Sequence, residues 1–235
     1  MQKHVLRKHI KARLKQLSAA DIAAQSNAIF ENLFASGLLD TAQESVQGPG
    51  GVVCSYLSMR KEVQTDQITQ LLFAQGCRVC VPRVLEGREM GMLLVNSWAE
   101  VEAFPKNQWG IPEPPIPSAG GESGSASASD GSAAPKFVNL EQIKAVIVPG
   151  LAFDSSCARM GRGKGYYDTF FERMRSARLA AGASPALPLL VGLSFNEQLI
   201  DGVPTEAHDV VLNAIVTPSG VICSGSDGDR DGNGD

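Results

Sequence analysis

Two periods of apolar residues alternate along this chain, one suited to helices and one to buried strands. Leu6, Ile10, Leu14 and Leu17 form a single stripe among lysines and arginines, which predicts a helix over residues 3–17. Ser18 with Asp21 three residues later predicts a capped helix start, and Ile22, Ile29, Phe30, Leu33 and Phe34 carry that helix to a stop near Gly37. Residues 51–57 then read as a short apolar strand, with the polar stretch 58–65 as its C-terminal loop. A helix over 68–73 ends at Gly76, and strands are expected over 78–82 (with Arg83 just beyond) and over 91–95. Ala145-Val-Ile-Val148 is another buried strand. Tyr166, Tyr167, Phe170, Phe171 and Met174 have helical spacing and predict a helix from about Gly165. Residues 187–193 and 210–217 supply two further strands. Between these elements, 118–134 is Gly/Ser/Ala-rich and reads as a flexible insertion, and 224–235 reads as a disordered polar tail, leaving 1–223 as one domain.

The most informative break in the pattern lies between the strand at 145–148 and the helix at 165. Gly161, Gly163 and Gly165 alternate there with Arg162 and Lys164, and Arg159 precedes them. Glycines let backbone N–H groups approach an anion closely, and a helix start adds unpaired donors and partial positive charge. So many cations in a short stretch repel one another unless something negative sits among them, so the stretch reads as a phosphate-binding loop. It matches neither the P-loop nor the dinucleotide fingerprint. A basic surface turn is the competing reading.

Composition narrows the class. With 235 residues, 43% hydrophobic and 20% charged, the chain has ample length for a buried core. A net charge of −4 argues against a dedicated nucleic-acid binder. The five cysteines, at 54, 77, 80, 157 and 223, are odd in number and scattered, unlike a secreted disulfide framework. Cys77-Arg-Val-Cys80 has no second pair and reads as buried thiols. No stretch is long and apolar enough for a membrane span, and the charged N-terminus lacks a signal core, so cytoplasm is the expectation. The aspartate-rich tail lacks the ligand spacing of a calcium loop.

Pro-Gly-Leu-Ala-Phe-Asp at 149–154 followed by Arg-Met-Gly-Arg-Gly-Lys-Gly-Tyr-Tyr-Asp at 159–168 closely resembles the signature of the 5-formyltetrahydrofolate cyclo-ligases. Cys157 stands where that family has glycine, and Met160 where it has leucine. Further matches run from Lys3 to Thr217. Lys3, Leu6 and Arg7 are similar to the family's N-terminal K-x-x-L-R; residues 58–65 resemble its S-M-x-x-E-[VI]-x-T; and 106–114 resembles a segment holding a tryptophan near the ligand. Residues 206–209 resemble its E-x-H-D, whereas Asn213 replaces a frequent aspartate, with the expected loss of an outer contact.

The resemblance implies an ATP-dependent closure of 5-formyltetrahydrofolate to 5,10-methenyltetrahydrofolate. It assigns ATP to Lys3, Arg7, Arg159, Met160, Gly161, Arg162, Gly163, Lys164, Gly165, Tyr166 and Tyr167, and the folate to Leu57, Glu62, Trp109 and the 162–166 stretch. Arg162, Lys164 and Tyr166 are the expected catalytic groups, and Asp168 and Asp209 the expected Mg²⁺ carboxylates. Asp168 could instead favour its helix start electrostatically, and Asp209 could cap a turn. The expected architecture is a single three-layer α/β domain with a mainly parallel, open, Rossmann-like sheet flanked by helices. The expected protein is a monomer that binds neither nucleic acid nor membrane. Three rivals stay open: another nucleotide- or sugar-phosphate enzyme, a folate or nucleotide binder without turnover, and an RNA-binding role for the first helix.

Overall fold

A computed structural model describes residues 2–40, 51–85, 89–108, 110–116, 136–206 and 209–225. The expected insertion at 118–134, most of the expected tail and Trp109 lie outside these residues.

Eight strands form one sheet in the order β10-β9-β8-β5-β1-β2-β3-β4. They are β1 (Val52–Cys54), β2 (Arg78–Val84), β3 (Met90–Val95), β4 (Lys136–Phe137), β5 (Ile143–Val148), β8 (Leu189–Leu193), β9 (Ala214–Thr217) and β10 (Gly220–Cys223). Strands β9, β8, β5, β1 and β2 pair in parallel; β10 at one edge, and β3 with β4 at the other, run antiparallel. The parallel strands are covered on both sides, which is why they read as continuous apolar runs rather than alternating ones. In β5, Ala145 and Ile147 face one core while Val146 and Val148 face the other, and all four are fully buried.

The first core is roofed by α1 (Lys3–Gln16), α2 (Ala19–Ala35), α3 (Asp66–Ala74) and α4 (Trp98–Ala103), through Leu6, Ile10, Ile29, Leu72 and Val101 among others. The second is roofed by α5 (Tyr166–Ala180), through Phe170, Phe171 and Met174. Burying each of these three side chains stabilises the fold by roughly 1.5–3 kcal/mol. The layers are therefore helix, sheet, helix, as the pattern of apolar residues predicts. The expected cap of α2 is also present: the Ser18 hydroxyl accepts from Asp21 N, and the Asp21 carboxylate accepts from Ser18 N at 2.9 Å.

Three local expectations change. Strand β1 stops at Cys54 rather than continuing to 57, because the next residues bond to α3's start: Thr65 Oγ1 donates to Tyr56 O, and the Ser55 and Thr69 hydroxyls share a hydrogen bond of 2.9 Å. Strand β9 begins at 214 rather than 210. Just before it, Asn213 ties down the neighbouring strand, its Oδ1 accepting from Leu190 N at 2.7 Å. An unexpected antiparallel ribbon, β6 (Ala152–Phe153) with β7 (Arg159–Met160), lies between β5 and the glycine stretch.

Strand order reverses between β1 and β5. From β1 the chain steps outward to β2 on one side, then returns to place β5, β8 and β9 on the other. In open α/β sheets, ligands bind in the crevice beyond the carboxyl ends of the two strands at such a reversal. Here those ends lead into residues 55–65 and 149–165, the two segments the sequence singles out.

Candidate active site

Each cation in these segments needs an anionic partner, because a guanidinium or ammonium drawn out of water is costly unless paired. Arg162, from the glycine loop, meets Glu62, from the loop after β1: Nε donates to Oε1 at 2.9 Å, and Nη2 lies 2.8 Å from the same oxygen in an ion pair. The other carboxylate oxygen of Glu62 accepts from Met59 N at 3.0 Å, so this buried glutamate is held from both sides. Arg159 leaves β7 pointing at α5, where Nη2 donates to Asp168 Oδ1 at 2.8 Å and the guanidinium lies over the Tyr167 ring, 5.6 Å from its centre. Lys3, at the start of α1, reaches across the molecule to Asp209 and Glu206, at 2.9 Å each.

Electrostatics bind these pairs into one site. Burial lowers the Arg159 pKa from its ordinary value, against the opposing pull of Asp168, Tyr167 and Asp209. Asp209, from the far C-terminal segment, thus adds to the field at Arg159, while its own carboxylate contacts Lys3. Burial alone would lower the Lys3 ammonium, but its hydrogen bonds to Asp209 and Glu206 outweigh that and raise it. Burial, with Glu62 nearby, pushes the Tyr56 phenol well above its usual range; burial does the same to Tyr167, with Cys54, Glu62 and Tyr56 adding to it. Both phenols therefore stay protonated. Tyr56 spends its proton on Val63 O at 2.9 Å, whereas the buried Tyr167 hydroxyl and Arg159 Nε have no hydrogen-bond partner among the described residues.

The glycines fit this arrangement. Gly163 has φ +97°, and a Cβ there would lie 3.4 Å from the Arg7 guanidinium, which itself donates to Gly161 O at 3.0 Å. Gly165, at φ +74°, starts α5 in a left-handed conformation that favours glycine. Lys164 is exposed between them and makes no ion pair among the described residues.

Most residues expected from the sequence thus gather at one place: Lys3, Arg7, Glu62, Arg159, Arg162, Tyr167, Asp168 and Asp209, with Lys164 on the rim. Tyr166 and Leu57 are half-buried and pack against opposite cores. Met160 points into the core and its carbonyl accepts from Leu151 N at 2.7 Å. Tyr56 went unnoticed in the sequence, where it reads as strand interior.

A profile of the 5-formyltetrahydrofolate cyclo-ligase family matches residues 1–218. The chain belongs to that family. Among the cyclo-ligases it resembles, the mouse (Mus musculus) 5-formyltetrahydrofolate cyclo-ligase is 27% identical over 215 residues, covering 91% of this chain and 92% of the relative. The Saccharomyces cerevisiae cyclo-ligase is 30% identical over 236 residues, covering 94% and 97%. An Arabidopsis thaliana cyclo-ligase described as mitochondrial is 29% identical, covering 94% and 76%. Among solved structures, the Aquifex aeolicus 5,10-methenyltetrahydrofolate synthetase superposes with a TM-score of 0.64 at 25% identity, covering 100% of this chain and 96% of that one. The Mycoplasma pneumoniae synthetase, at 18% identity and a TM-score of 0.59, shares the cyclo-ligase fold. No helix among the described residues is long and apolar enough to cross a membrane.

Proposed function

We propose that this chain closes 5-formyltetrahydrofolate to 5,10-methenyltetrahydrofolate at the expense of ATP, releasing ADP and phosphate. The observation that carries this reading is the Arg162–Glu62 contact, which joins a cationic glycine loop to a buried carboxylate across the sheet's strand-order reversal. A carboxylate so placed suits the N–H donors of a pterin; a glycine loop with Arg7, Arg162 and Lys164 suits a triphosphate.

A formyl oxygen is a poor leaving group. Transfer of the γ-phosphoryl group onto it, with ADP departing, converts it into a good one. N10 then attacks the activated carbon, the C–O bond breaks, phosphate leaves with the oxygen, and N10 gives up its proton. The protein's task is alignment and charge neutralisation, so no nucleophilic side chain is needed. Lys164 and Arg162 balance charge on the transferring phosphoryl group, and Glu62 orients the pterin.

Mg²⁺ is usually held by one or two carboxylates together with phosphate oxygens and water. Asp168 and Asp209 would supply such carboxylates, since each already contacts a cation, Arg159 and Lys3 respectively. When bound there, the ion would screen the phosphate charge. The chain is expected to act as a monomer in the cytoplasm, in keeping with its free cysteines.

The test is spectroscopic. Purified protein with 5-formyltetrahydrofolate and MgATP should develop the near-ultraviolet band of the methenyl product with matching ADP release. Nucleotide-dependent thermal stabilisation without that band would point to a binder without turnover, and ADP release with other acceptors to a different phosphoryl-transfer enzyme.

A further inference from the structure

Asp154 is a buried carboxylate that the mechanism above does not use. Its Oδ1 accepts from Ser156 N at 3.0 Å, Ser156 Oγ at 2.6 Å and Ala158 N at 3.1 Å. Its Oδ2 accepts from Val203 N at 2.7 Å, in a segment 49 residues further along the chain. The backbone of the same turn closes on itself, with Cys157 N donating to Asp154 O at 3.0 Å.

Its two oxygens therefore serve two different segments. Oδ1 shapes the turn that delivers Arg159, and so the ion pair to Asp168. Oδ2 holds Val203, a few residues before Glu206 and Asp209, which pair with Lys3. Neighbouring bonds reinforce the seam: Ile200 N donates to Phe153 O at 2.9 Å, Gln198 Nε2 to Gly150 O at 2.8 Å, and Leu212 N to Cys157 O at 3.0 Å. Those bonds fix the ribbon against the chain on either side, and Asp154 adds a hold on Val203. A carboxylate accepting this many N–H and O–H bonds is a stiff clamp, because each charge-assisted bond is stronger than a neutral one.

From this we infer that Asp154 is a positioning residue that sets the separation of Asp168 and Asp209, and so governs affinity for the metal–nucleotide complex without touching it. The inference rests on the proposed function above. Its chemistry is specific to a carboxylate. An amide of the same size has one acceptor oxygen and one donor NH₂ group, so either the turn or Val203 N would face a donor instead of an acceptor.

The test compares Asp154→Asn with the unaltered chain by calorimetric titration of MgATP, of ATP without metal, and of 5-formyltetrahydrofolate, with kinetics and thermal melting alongside. Asp154→Asn should weaken MgATP binding by about tenfold or more, the range found when groups orienting metal ligands are altered. Binding of metal-free ATP and of the folate should change by less than about threefold, and the KM for MgATP should rise more than kcat falls. Ser156→Ala, which removes one of the bonds to Oδ1 at an exposed position, should shift MgATP binding in the same direction by a smaller factor. Unchanged MgATP affinity in Asp154→Asn would overturn the inference. So would equal losses for all three ligands, which would mean a purely structural role. If Asp154→Asn does not fold, Ser156→Ala decides: a selective loss of MgATP affinity supports the clamp, and no loss refutes it. A failure of the proposed function shows differently, as an unaltered chain that forms no methenyl product.

Discussion

Lys164 and Glu62 are the residues whose replacement separates the two substrates. Lys164 is exposed and makes no ion pair among the described residues, so Lys164→Ala should leave stability within about 0.5 kcal/mol. It should lower kcat/KM for MgATP about 100-fold, the loss seen when a charge-stabilising donor is removed, with the folate KM little changed. Glu62→Gln should behave in the opposite sense. Folate binding should weaken about tenfold, but nucleotide binding should hold or tighten by up to a few-fold, because Arg162 loses the anion that holds it. Separate titrations of the two ligands measure both. Cys157 offers a test of strain. It is the one non-glycine residue with positive φ among those described, at +62°, and its side chain is fully buried. A left-handed conformation costs an ordinary residue about 1–2 kcal/mol. Cys157→Gly should therefore be at least as stable in urea as Cys157→Ala, reversing the usual order of the two residues. Burial, with Cys223 and Asp154 nearby, also pushes the Cys157 thiol up to about 11. The folded chain keeps this proton where the unfolded chain, with a thiol pKa of about 8.5, has lost it. That stabilisation is complete below about pH 8.5 and declines as pH rises towards 11. Melting curves over that range should fall more steeply for the unaltered chain than for Cys157→Ala.

At the scale of the elements, α1 serves both core and site. Leu6, Ile10 and Leu14 are buried, while Lys3 and Arg7 on the neighbouring face reach Asp209 and Gly161. Ile10→Ala should cost about 2–4 kcal/mol in denaturant unfolding. It should also weaken nucleotide binding, because loosening the helix loosens both cations. The helix itself, with the strands and the α5 start, was legible in the sequence, since apolar spacing at 3.6 residues or in continuous runs is a local signal. The glycine loop was legible for the same reason: its composition is concentrated in a few positions. The ion pairs were not. Lys3 and Asp209 are 206 residues apart and Glu62 and Arg162 are 100 apart, and no local pattern couples such positions. Sequence reasoning placed all four in the site but as separate contacts to ligands; the fold makes them partners of one another. The β6–β7 ribbon was hidden because its strands are only two residues long and are held by Asp154, which in the sequence looks like an ordinary turn residue.

For the whole molecule, the strand-order reversal between β1 and β5 explains why segments so distant in sequence meet at one end of the sheet. It also sets what arriving ligands encounter. Lys3, Arg159 and Arg162 each hold a carboxylate, whereas Arg7 and Lys164 make no ion pair among the described residues. A bare polyanion that claims Lys3 and Arg159 leaves Asp168 and Asp209 facing its own negative charge. A metal-chelated nucleotide brings both signs at once, so every severed contact gains a replacement. Thermal stabilisation by ATP with excess chelator should accordingly be small beside that by MgATP at equal concentration. On the proposed function, the folding that assembles the crevice would thus also act as a filter, favouring nucleotide that arrives with its counter-ion.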